Sequence, residues 1–264
     1  MEKSFLWDAD TYDKVTDNLE EWATIIIKSR KWSGRETILD AGCGSGRVTK
    51  VLCKVTDGLV YAVDNDPQMI IKAKNNLHQT KNVKIFQSDL TALDSATFPI
   101  KFDIIFSNAV LHWIDDHYKV FKNFHKLLKE KYGDLLIQCG GNGNLQNIIS
   151  VFNIVRDLAI FKPYFSDFKN PWNFAKPENI NSILTELGYK GITVYLMDAP
   201  VTFKDKESYL AYLKTVVLGP YLKHLPSQQL KDSFLTEIAN HIEKNNPHLM
   251  WKLDYVRLNI MATT

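Results

Sequence analysis

The sequence carries little net charge, has few cysteines and lacks a long apolar run. Its 32 basic and 30 acidic side chains leave a formal charge of +2, which favours neither nucleic acid nor an anionic membrane as a partner. No apolar stretch approaches the ~18 residues that a membrane-spanning helix needs. Three cysteines, an odd number, do not fit a disulfide framework, so we expect a reducing compartment, the cytoplasm. The N-terminus also lacks the basic-then-apolar order of a secretory signal.

The patterns of metal sites and of several common enzyme classes are missing as well. The histidines, cysteines and acids show no metal-ligand spacing, so we predict no bound metal. There is no nucleophile elbow, Walker loop or pair of catalytic carboxylates. The 264 residues are nevertheless 45% hydrophobic, enough for a sizeable core in one large domain or in one domain with an inserted cap.

A strand, a glycine-rich turn and a helix follow one another early in the chain. Thr37–Ala41 is mainly apolar, like a buried parallel strand, and contains Asp40. Val48–Val55 has the apolar spacing of a helix. Between them, three glycines stand at alternate positions: Gly42, Gly44 and Gly46. Such a turn brings backbone N–H groups and a helix N-terminus against a ligand.

The glycine spacing argues against a dinucleotide as that ligand. The dinucleotide fingerprint has its third glycine three residues after the second. That position is Arg47 here, and the third glycine comes one residue earlier, at Gly46. The predicted ligand therefore needs no seat for a pyrophosphate.

Acidic residues end or follow the next two predicted strands. Leu59–Asp64 is an apolar strand that ends on a carboxylate, which at this position can accept hydrogen bonds from both hydroxyls of a ribose. Asp66 fits the N-cap of the next helix, so Asp64 is not needed there. Val83–Gln87 is the third strand, and the following Asp89 is either a second ligand-binding acid or a surface turn residue.

The strand–helix alternation continues through the fifth strand and then stops. Phe102–Asn108 and Leu135–Gln138 are predicted strands, with a helix at Asp116–Lys129 between them. The later elements are predicted helices at Leu145–Phe161, Pro177–Leu187, Ser208–Leu218 and Gln228–Glu243, and strands at Gly191–Leu196 and Tyr255–Ala262. This layout predicts an α/β fold, a doubly wound and mostly parallel sheet with a helical cap inserted in the C-terminal half.

Three regions follow from this layout. Residues 1–36 are predicted to form an N-terminal helical cover, although Trp7 or Tyr12 could instead fold over the ligand as a lid. Residues 37–140 are the predicted cofactor-binding core. Residues 141–264 are predicted to supply cap helices and the last two strands of the sheet.

The ordered set of acids and glycines, followed by Ser107–Trp113, resembles the class I S-adenosylmethionine-dependent methyltransferases. The resemblance implies a Rossmann-like methyltransferase fold, S-adenosylmethionine as cofactor and a small-molecule substrate. It also implies that Asp64 binds the ribose and that Asp89 and Leu90 hold the adenine. The cofactor contacts it implies are Asp40, Gly42, Cys43, Gly44, Gly46, Asp64, Asn65, Met69, Asp89, Leu90 and Asn108.

A narrower likeness covers nearly the whole chain. The segments that carry it are similar to the trans-aconitate methyltransferase group, which makes methyl esters of small carboxylic acids; they are Trp7-Asp8 with Tyr12, Asn108–Trp113, Leu218–Leu222 and Tyr255–Leu258. The insect juvenile hormone acid methyltransferases share some of these features and also esterify a carboxylate.

One departure from that group concerns the substrate. The group has an arginine, a fitting partner for a planar carboxylate, where this chain has Gly219. Aconitate itself is therefore not predicted as the substrate. Arg156, Lys162, Lys214 or Arg257 could bind a carboxylate instead, or each could be a solvated surface charge.

The resemblance leaves the methyl acceptor open. A carboxylate, with a pKa near ~4, is ionised at neutral pH and needs no base, whereas an amine or hydroxyl of a metabolite or macromolecule could use His112 as its base. His112 could equally be a packed imidazole beside Trp113, and Asn108 could orient the cofactor or the substrate. Tyr12, Trp113 and Trp172 are the predicted substrate contacts. A cofactor-binding scaffold without activity is a further alternative.

Overall fold

The computed structural model describes residues 17–94 and 96–264, with the backbone alone for residues 17–19. Trp7 and Tyr12, the residues of the alternative lid, lie outside the described residues, and so does the predicted substrate contact of Tyr12. The described chain divides into two compact units. We call Asp17–Asn142, Trp172–Met197 and Arg257–Thr264 the core unit, and Gly143–Pro171 with Asp198–Val256 the helical unit.

The helices and strands alternate regularly only in the first half of the chain. In chain order they are α1 (Asp17–Lys28), β1 (Ile38–Ala41), α2 (Arg47–Val55), β2 (Val60–Asp64), α3 (Pro67–Asn76), β3 (Val83–Gln87), β4 (Ile104–Asn108), α4 (His117–Leu127), β5 (Asp134–Gly140), α5 (Gln146–Arg156), α6 (Pro177–Glu186), β6 (Lys190–Asp198), β7 (Val201–Thr202), α7 (Lys206–Tyr212), α8 (Gly219–Leu222), α9 (Gln228–Asn245), β8 (Lys252–Leu253) and β9 (Val256–Thr263).

A seven-stranded sheet forms the centre of the core unit. Its strand order is β3-β2-β1-β4-β5-β9-β6. Strands β1 to β5 pair in parallel with their neighbours, whereas β9 pairs antiparallel with β5. The chain order reverses at β1, from which β2 and β3 extend to one side and β4 to the other. This topology confirms the predicted doubly wound, mostly parallel α/β sheet.

Helices cover both faces of this sheet because its strands are apolar on both sides. Ile38 packs on one face with apolar residues of α1 and α2, and Ile70 of α3 joins that face beside Ala62. Leu39 points the other way, into a larger cluster with residues of α4 and α6. The core of the unit therefore consists of two apolar layers separated by the sheet.

Helix α3 begins where the sequence predicts. The Asp66 carboxylate accepts the N–H groups of Gln68, at 2.7 Å, and Met69, at 3.1 Å, and Pro67 occupies the first turn. These bonds satisfy N–H groups that have no partner within the helix. Asp64 is thereby left for other contacts, as predicted.

The helical unit has its own buried centre. Aromatic rings pack there in edge-on, tilted and stacked pairs; they belong to Phe161, Phe165, Tyr221 and Phe234. The short strands β7 and β8 pair antiparallel. That this unit acts as a cap remains a prediction. No helix in the described parts of the chain is both long and apolar enough to span a bilayer.

The predicted helix at Ser208–Leu218 is wrong in its second half. Helix α7 ends at Tyr212, and Leu213–Val217 forms a π-helical segment. The N–H of Leu218 then reaches the carbonyl of Leu213, at 2.7 Å. The following Gly-Pro pair weakens a continuous α-helix, because glycine is costly there and proline lacks an N–H group.

Candidate functional site

The polar residues singled out in the sequence lie along one edge of the sheet. The parallel register pairs Ala41 with Val63, and Asn108 with Gln138. It also pairs Asp64 with Gln87, the last residue of β3. The carboxyl ends of β1 to β5 therefore meet at this edge, where open α/β sheets bind their ligands.

The glycine turn after β1 is held against β2. The N–H groups of Gly42 and Cys43 both donate to the carbonyl of Val63, at 2.7 and 2.9 Å. A Cβ on Gly42 would lie 2.1 Å from a methyl carbon of Val110, so only glycine fits this close approach. The turn thus has a fixed position relative to β2 and to the segment after β4.

Gly44 stands at the outer side of the turn. Its N–H donates to Oδ2 of Asp64 at 2.8 Å, and its φ is +54°. A Cβ there would meet no atom within 4 Å. The turn therefore presents a bare backbone to open space beside an acidic side chain.

Asp40 is buried beneath the turn. The residue is only 2% exposed, and its Oδ2 accepts a hydrogen bond from the hydroxyl of Thr49 at 2.6 Å. Burial raises the pKa of this carboxyl to about 7, with a smaller contribution from the charge of Asp64 and an opposing one from the Thr49 hydrogen bond. A cation placed nearby would favour the ionised form.

Asp64 is half-buried at the end of β2. Its two oxygens accept the N–H groups of Gly44, at 2.8 Å, and Asp66, at 2.9 Å. Burial raises the pKa of this carboxyl as well, although those N–H groups oppose the shift. Asp40 and Asp64 thus form a pair of carboxyls whose negative charges repel each other.

Other predicted cofactor contacts differ in exposure. Asp89 is exposed and caps a short 3-10 turn, accepting the N–H and the hydroxyl of Thr91 at 2.7 and 2.8 Å. Leu90 and Met69 are buried, and Asn65 is exposed next to Asp64. Burial raises the pKa of the Cys43 thiol, so it is neutral.

The segment after β4 is tied to its neighbours. Ser107 donates its hydroxyl to the carbonyl of Ala41 at 2.6 Å. The N–H of Ala109, a residue with a φ of +61°, donates to the carbonyl of Gln138 at 2.8 Å. The half-buried Asn108, the last residue of β4, lies between these two bonded residues and is thereby held in place.

His112 is buried and uncharged. Its Nδ1 accepts the N–H of Gly140 at 3.2 Å, which requires the ring proton of the neutral imidazole to be on Nε2. Burial, with smaller contributions from Arg257 and His117, lowers the pKa of His112 well below 6.5. The one nitrogen able to accept a proton is therefore already occupied.

An aromatic group surrounds this imidazole. The ring of His112 lies 5.3 Å from that of Trp113 and 5.9 Å from that of Phe174. Trp172 contacts both neighbours, at 5.8 Å from each. The N–H of Asn173 donates to the carbonyl of His112 at 2.9 Å. The structure thus brings together Trp113 and Trp172, the two predicted substrate contacts that it describes.

Arg257 is buried, so the solvated surface charge that the sequence allows at this position is wrong. Its other predicted role, binding a carboxylate, stays a prediction. Its guanidinium lies over the Trp22 ring at 4.7 Å, and its Nε donates to Oε1 of Gln138 at 3.4 Å. An arginine in a mainly apolar strand, Val256–Thr263, is the sequence signal for this burial.

The same edge offers no cluster suited to a metal. Among residues 17–94 and 96–264, no three histidine, cysteine or acidic side chains come together as ligands. The carboxyls, amides and open glycine turn instead suit an organic ligand with a cationic group.

Comparisons with known proteins agree with this arrangement. A family model described as a methyltransferase domain matches residues 39–134. A methyltransferase of Schizosaccharomyces pombe, described as uncharacterized, is 30% identical over 192 residues, which are 69% of this chain and 70% of that protein. The trans-aconitate 2-methyltransferase of Deinococcus radiodurans is 24% identical over 226 residues, 83% of each chain.

The fold is also found among solved structures. The YcgJ protein of Bacillus subtilis aligns with a TM-score of 0.61 at 13% identity, over 92% of this chain and 98% of that chain. The predicted likeness to the trans-aconitate group and the predicted Rossmann-like fold are both confirmed. The chain belongs to the class I S-adenosylmethionine-dependent methyltransferases.

Proposed function

We propose that this protein transfers the methyl group of S-adenosylmethionine to the carboxylate of a small organic acid and releases a methyl ester. The observation that carries the proposal is the state of His112. The imidazole is neutral, and its acceptor nitrogen Nδ1 already accepts the N–H of Gly140. An acceptor that needs no base fits such a site, and a carboxylate is that acceptor.

The residues at the edge fit S-adenosylmethionine. The repelling carboxyls of Asp40 and Asp64, both with a raised pKa, favour a ligand that carries positive charge. The open space over Gly44 leaves room for the methionyl chain. In this proposal Asp64 binds the ribose hydroxyls and Asp40 attracts the ammonium group. The adenine would lie against Asp89 and its neighbours Leu90, Met69 and Asn65.

The proposed chemistry is a direct displacement. The cofactor supplies, when bound, a methyl group already activated by its sulfonium. A carboxylate oxygen forms the new C–O bond while the methyl–sulfur bond breaks, and the electron pair of that bond stays on sulfur. No proton moves. The task of the protein is to align the acceptor, and alignment can supply ~7–11 kcal/mol of the barrier.

In this proposal the aromatic rings around His112 line the place where the methyl acceptor binds. Trp113, Trp172 and Phe174 offer apolar rings for the hydrocarbon part of an acid. The same rings support a second candidate, an amine, because aromatic faces also attract ammonium groups. An ammonium acceptor would have to lose a proton before it could attack.

A labelled methyl-transfer assay tests the proposal. The protein is incubated with S-adenosylmethionine carrying a labelled methyl group and with separate pools of carboxylic acids, amines and alcohols. We expect label in the acid pool, released as methanol by mild alkali because the product is an ester. Alkali-stable label in the amine pool would favour the second candidate. Cofactor binding without transfer to any pool would favour a scaffold.

The substitution His112→Asn tests whether a base is needed. The asparagine oxygen can still accept the Gly140 N–H, but the imidazole is gone. For a carboxylate acceptor we expect kcat to fall by less than ~10-fold, since base catalysis typically contributes ~10²–10⁴-fold. The measurement is kcat with the acid that the wild-type protein methylates. His117→Gln is the control, because His117 is also buried and bonds a backbone carbonyl through Nε2. A loss of several hundredfold at His112 alone would contradict the proposal.

The substitution Gly44→Ala tests whether the cofactor lies over the glycine turn. The added methyl would occupy the open space there, and we expect the Kd for S-adenosylmethionine to rise by about 10-fold, measured by calorimetry. The positive φ adds a stability cost of about 1 kcal/mol. Gly34→Ala is the matched control, because Gly34 also has a positive φ, of +80°, and open space around it. Equal cofactor affinities in the two variants would contradict the placement.

A further inference from the structure

Arg257 differs from the other basic residues considered as partners for a carboxylate. Arg156 and Lys214 form ion pairs with exposed aspartates, and Lys162 is exposed. Arg257 is 1% exposed, and among the described residues it is the one lysine or arginine that is buried. A charge removed from water interacts strongly with charged groups near it.

Arg257 lies near His112 at the edge of the sheet formed by the carboxyl ends of the strands. In the pairing of β9 with β5 it stands opposite Gly140, the last residue of β5. The N–H of that glycine donates to Nδ1 of His112 at 3.2 Å. The positive charge of Arg257 lowers the pKa of both His112 and Cys139. Burial is the larger cause in each case: it also lowers the pKa of His112, but it raises the pKa of Cys139, which is therefore raised overall.

The orientation of the guanidinium is fixed on two sides. Its Cζ lies over the Trp22 ring, 4.7 Å from the ring centre, and its Nε donates to Oε1 of Gln138 at 3.4 Å. The amide of Gln138 is fixed in turn, because its Nε2 donates to Oδ1 of Asn259 at 2.7 Å. A held guanidinium loses little further side-chain freedom when it binds a ligand.

A fixed guanidinium is suited to one kind of ligand group. It remains charged at any ordinary pH, and its planar fork matches the two oxygens of a carboxylate. Water screens this attraction little in a buried site. We propose that Arg257 binds a carboxylate of the acid that is methylated and so selects acids over their neutral analogues. This inference rests on the proposed function.

Kinetics with two variants test the assignment. The acid is whichever the wild-type protein methylates best among straight-chain monocarboxylates, malonate, succinate and trans-aconitate. For Arg257→Gln we expect the KM for that acid to rise at least ~30-fold, and for Arg257→Lys about 10-fold, since lysine keeps the charge but not the fork. The kcat and the Kd for S-adenosylhomocysteine should change by less than ~3-fold. Arg156→Gln, the control, should leave all of these values unchanged.

The outcomes separate this inference from the proposed function. If the wild-type protein forms no methyl ester with any acid, the proposed function fails, and the inference fails with it. If esters form and Arg257→Gln keeps the wild-type KM for the acid, only the inference is overturned. An equal loss of acid and S-adenosylhomocysteine affinity in Arg257→Gln would show a structural role and would also overturn it.

A measurement on the wild-type protein covers the case in which these variants do not fold. With isotope-labelled arginine, the Nε–H resonance of Arg257 can be assigned from its contact with the Trp22 indole. Adding the acid to the complex with S-adenosylhomocysteine should shift this resonance, whereas the primary amide of the same acid should not. An unmoved Arg257 resonance at saturating acid would overturn the proposal.

Discussion

Replacing Asp64 with alanine is expected to raise the Kd for S-adenosylmethionine by about a thousandfold, or ~4 kcal/mol. In the proposed site the carboxylate accepts hydrogen bonds from both ribose hydroxyls, and bonds to a charged group are the stronger kind. The same carboxylate holds the N–H of Gly44 at 2.8 Å, so its loss also releases the glycine turn. Calorimetric titration of the variant with the cofactor measures the change.

Two further variants serve as controls for this result. Asp57→Ala removes an exposed carboxylate in the loop before β2, at the opposite edge of the sheet, and should leave the Kd unchanged. Asp64→Asn keeps one acceptor oxygen and should lose less affinity than Asp64→Ala. The ribose-binding role of Asp64 would be refuted if the alanine variant bound the cofactor within about threefold of wild type.

The second large effect concerns pH. The pKa of Asp40 is about 7 in the structure, and the proposed contact with the cationic cofactor needs the ionised form. Cofactor affinity should therefore fall about 100-fold between pH 8 and pH 5, because each pH unit below the pKa costs about a factor of ten. Asp40→Asn should remove this pH dependence. His112→Asn should keep it, since the pKa of His112 lies well below its usual value. A flat wild-type profile would contradict the role of Asp40.

The stability of the cofactor-free protein should change with pH in the opposite direction. The folded-state pKa of Asp40 lies above its ordinary value of 3.8, so the folded protein holds this proton more tightly than the unfolded chain. This contribution is fully present below about pH 4 and is lost as pH rises through about 7, up to ~4 kcal/mol. Thermal unfolding of wild type and Asp40→Asn over this range measures the difference.

Much of the core unit follows from local sequence pattern. Strand β3 occupies Val83–Gln87 in both the prediction and the structure, and the Asp66 cap was predicted with its role. These features depend on residues close in sequence, such as a capping carboxylate within three positions of the N–H it accepts. The shared edge for Asp40 and Asp64 was also predictable, because parallel strands end on the same side of a sheet.

Other features depend on contacts that a single sequence does not reveal. The burial of Arg257 follows from its place opposite Gly140 and from the Trp22 ring, which lies far away in the sequence. The state of His112 depends on one N–H from β5. The hydrogen-bond spacing of the π-helical segment at Leu213–Val217 is one residue longer than that of an α-helix, and apolar spacing in the sequence does not detect so small a difference.

The position of β9 in the sheet affects how the protein folds during translation. It is the final strand in chain order, yet it lies between β5 and β6 in the sheet. During translation, one edge of β5 therefore lacks its partner β9 until the whole helical unit has left the ribosome. Such an edge is a template for association between nascent chains. Chaperone binding during this interval would protect the protein, and the strand that ends the interval also delivers Arg257.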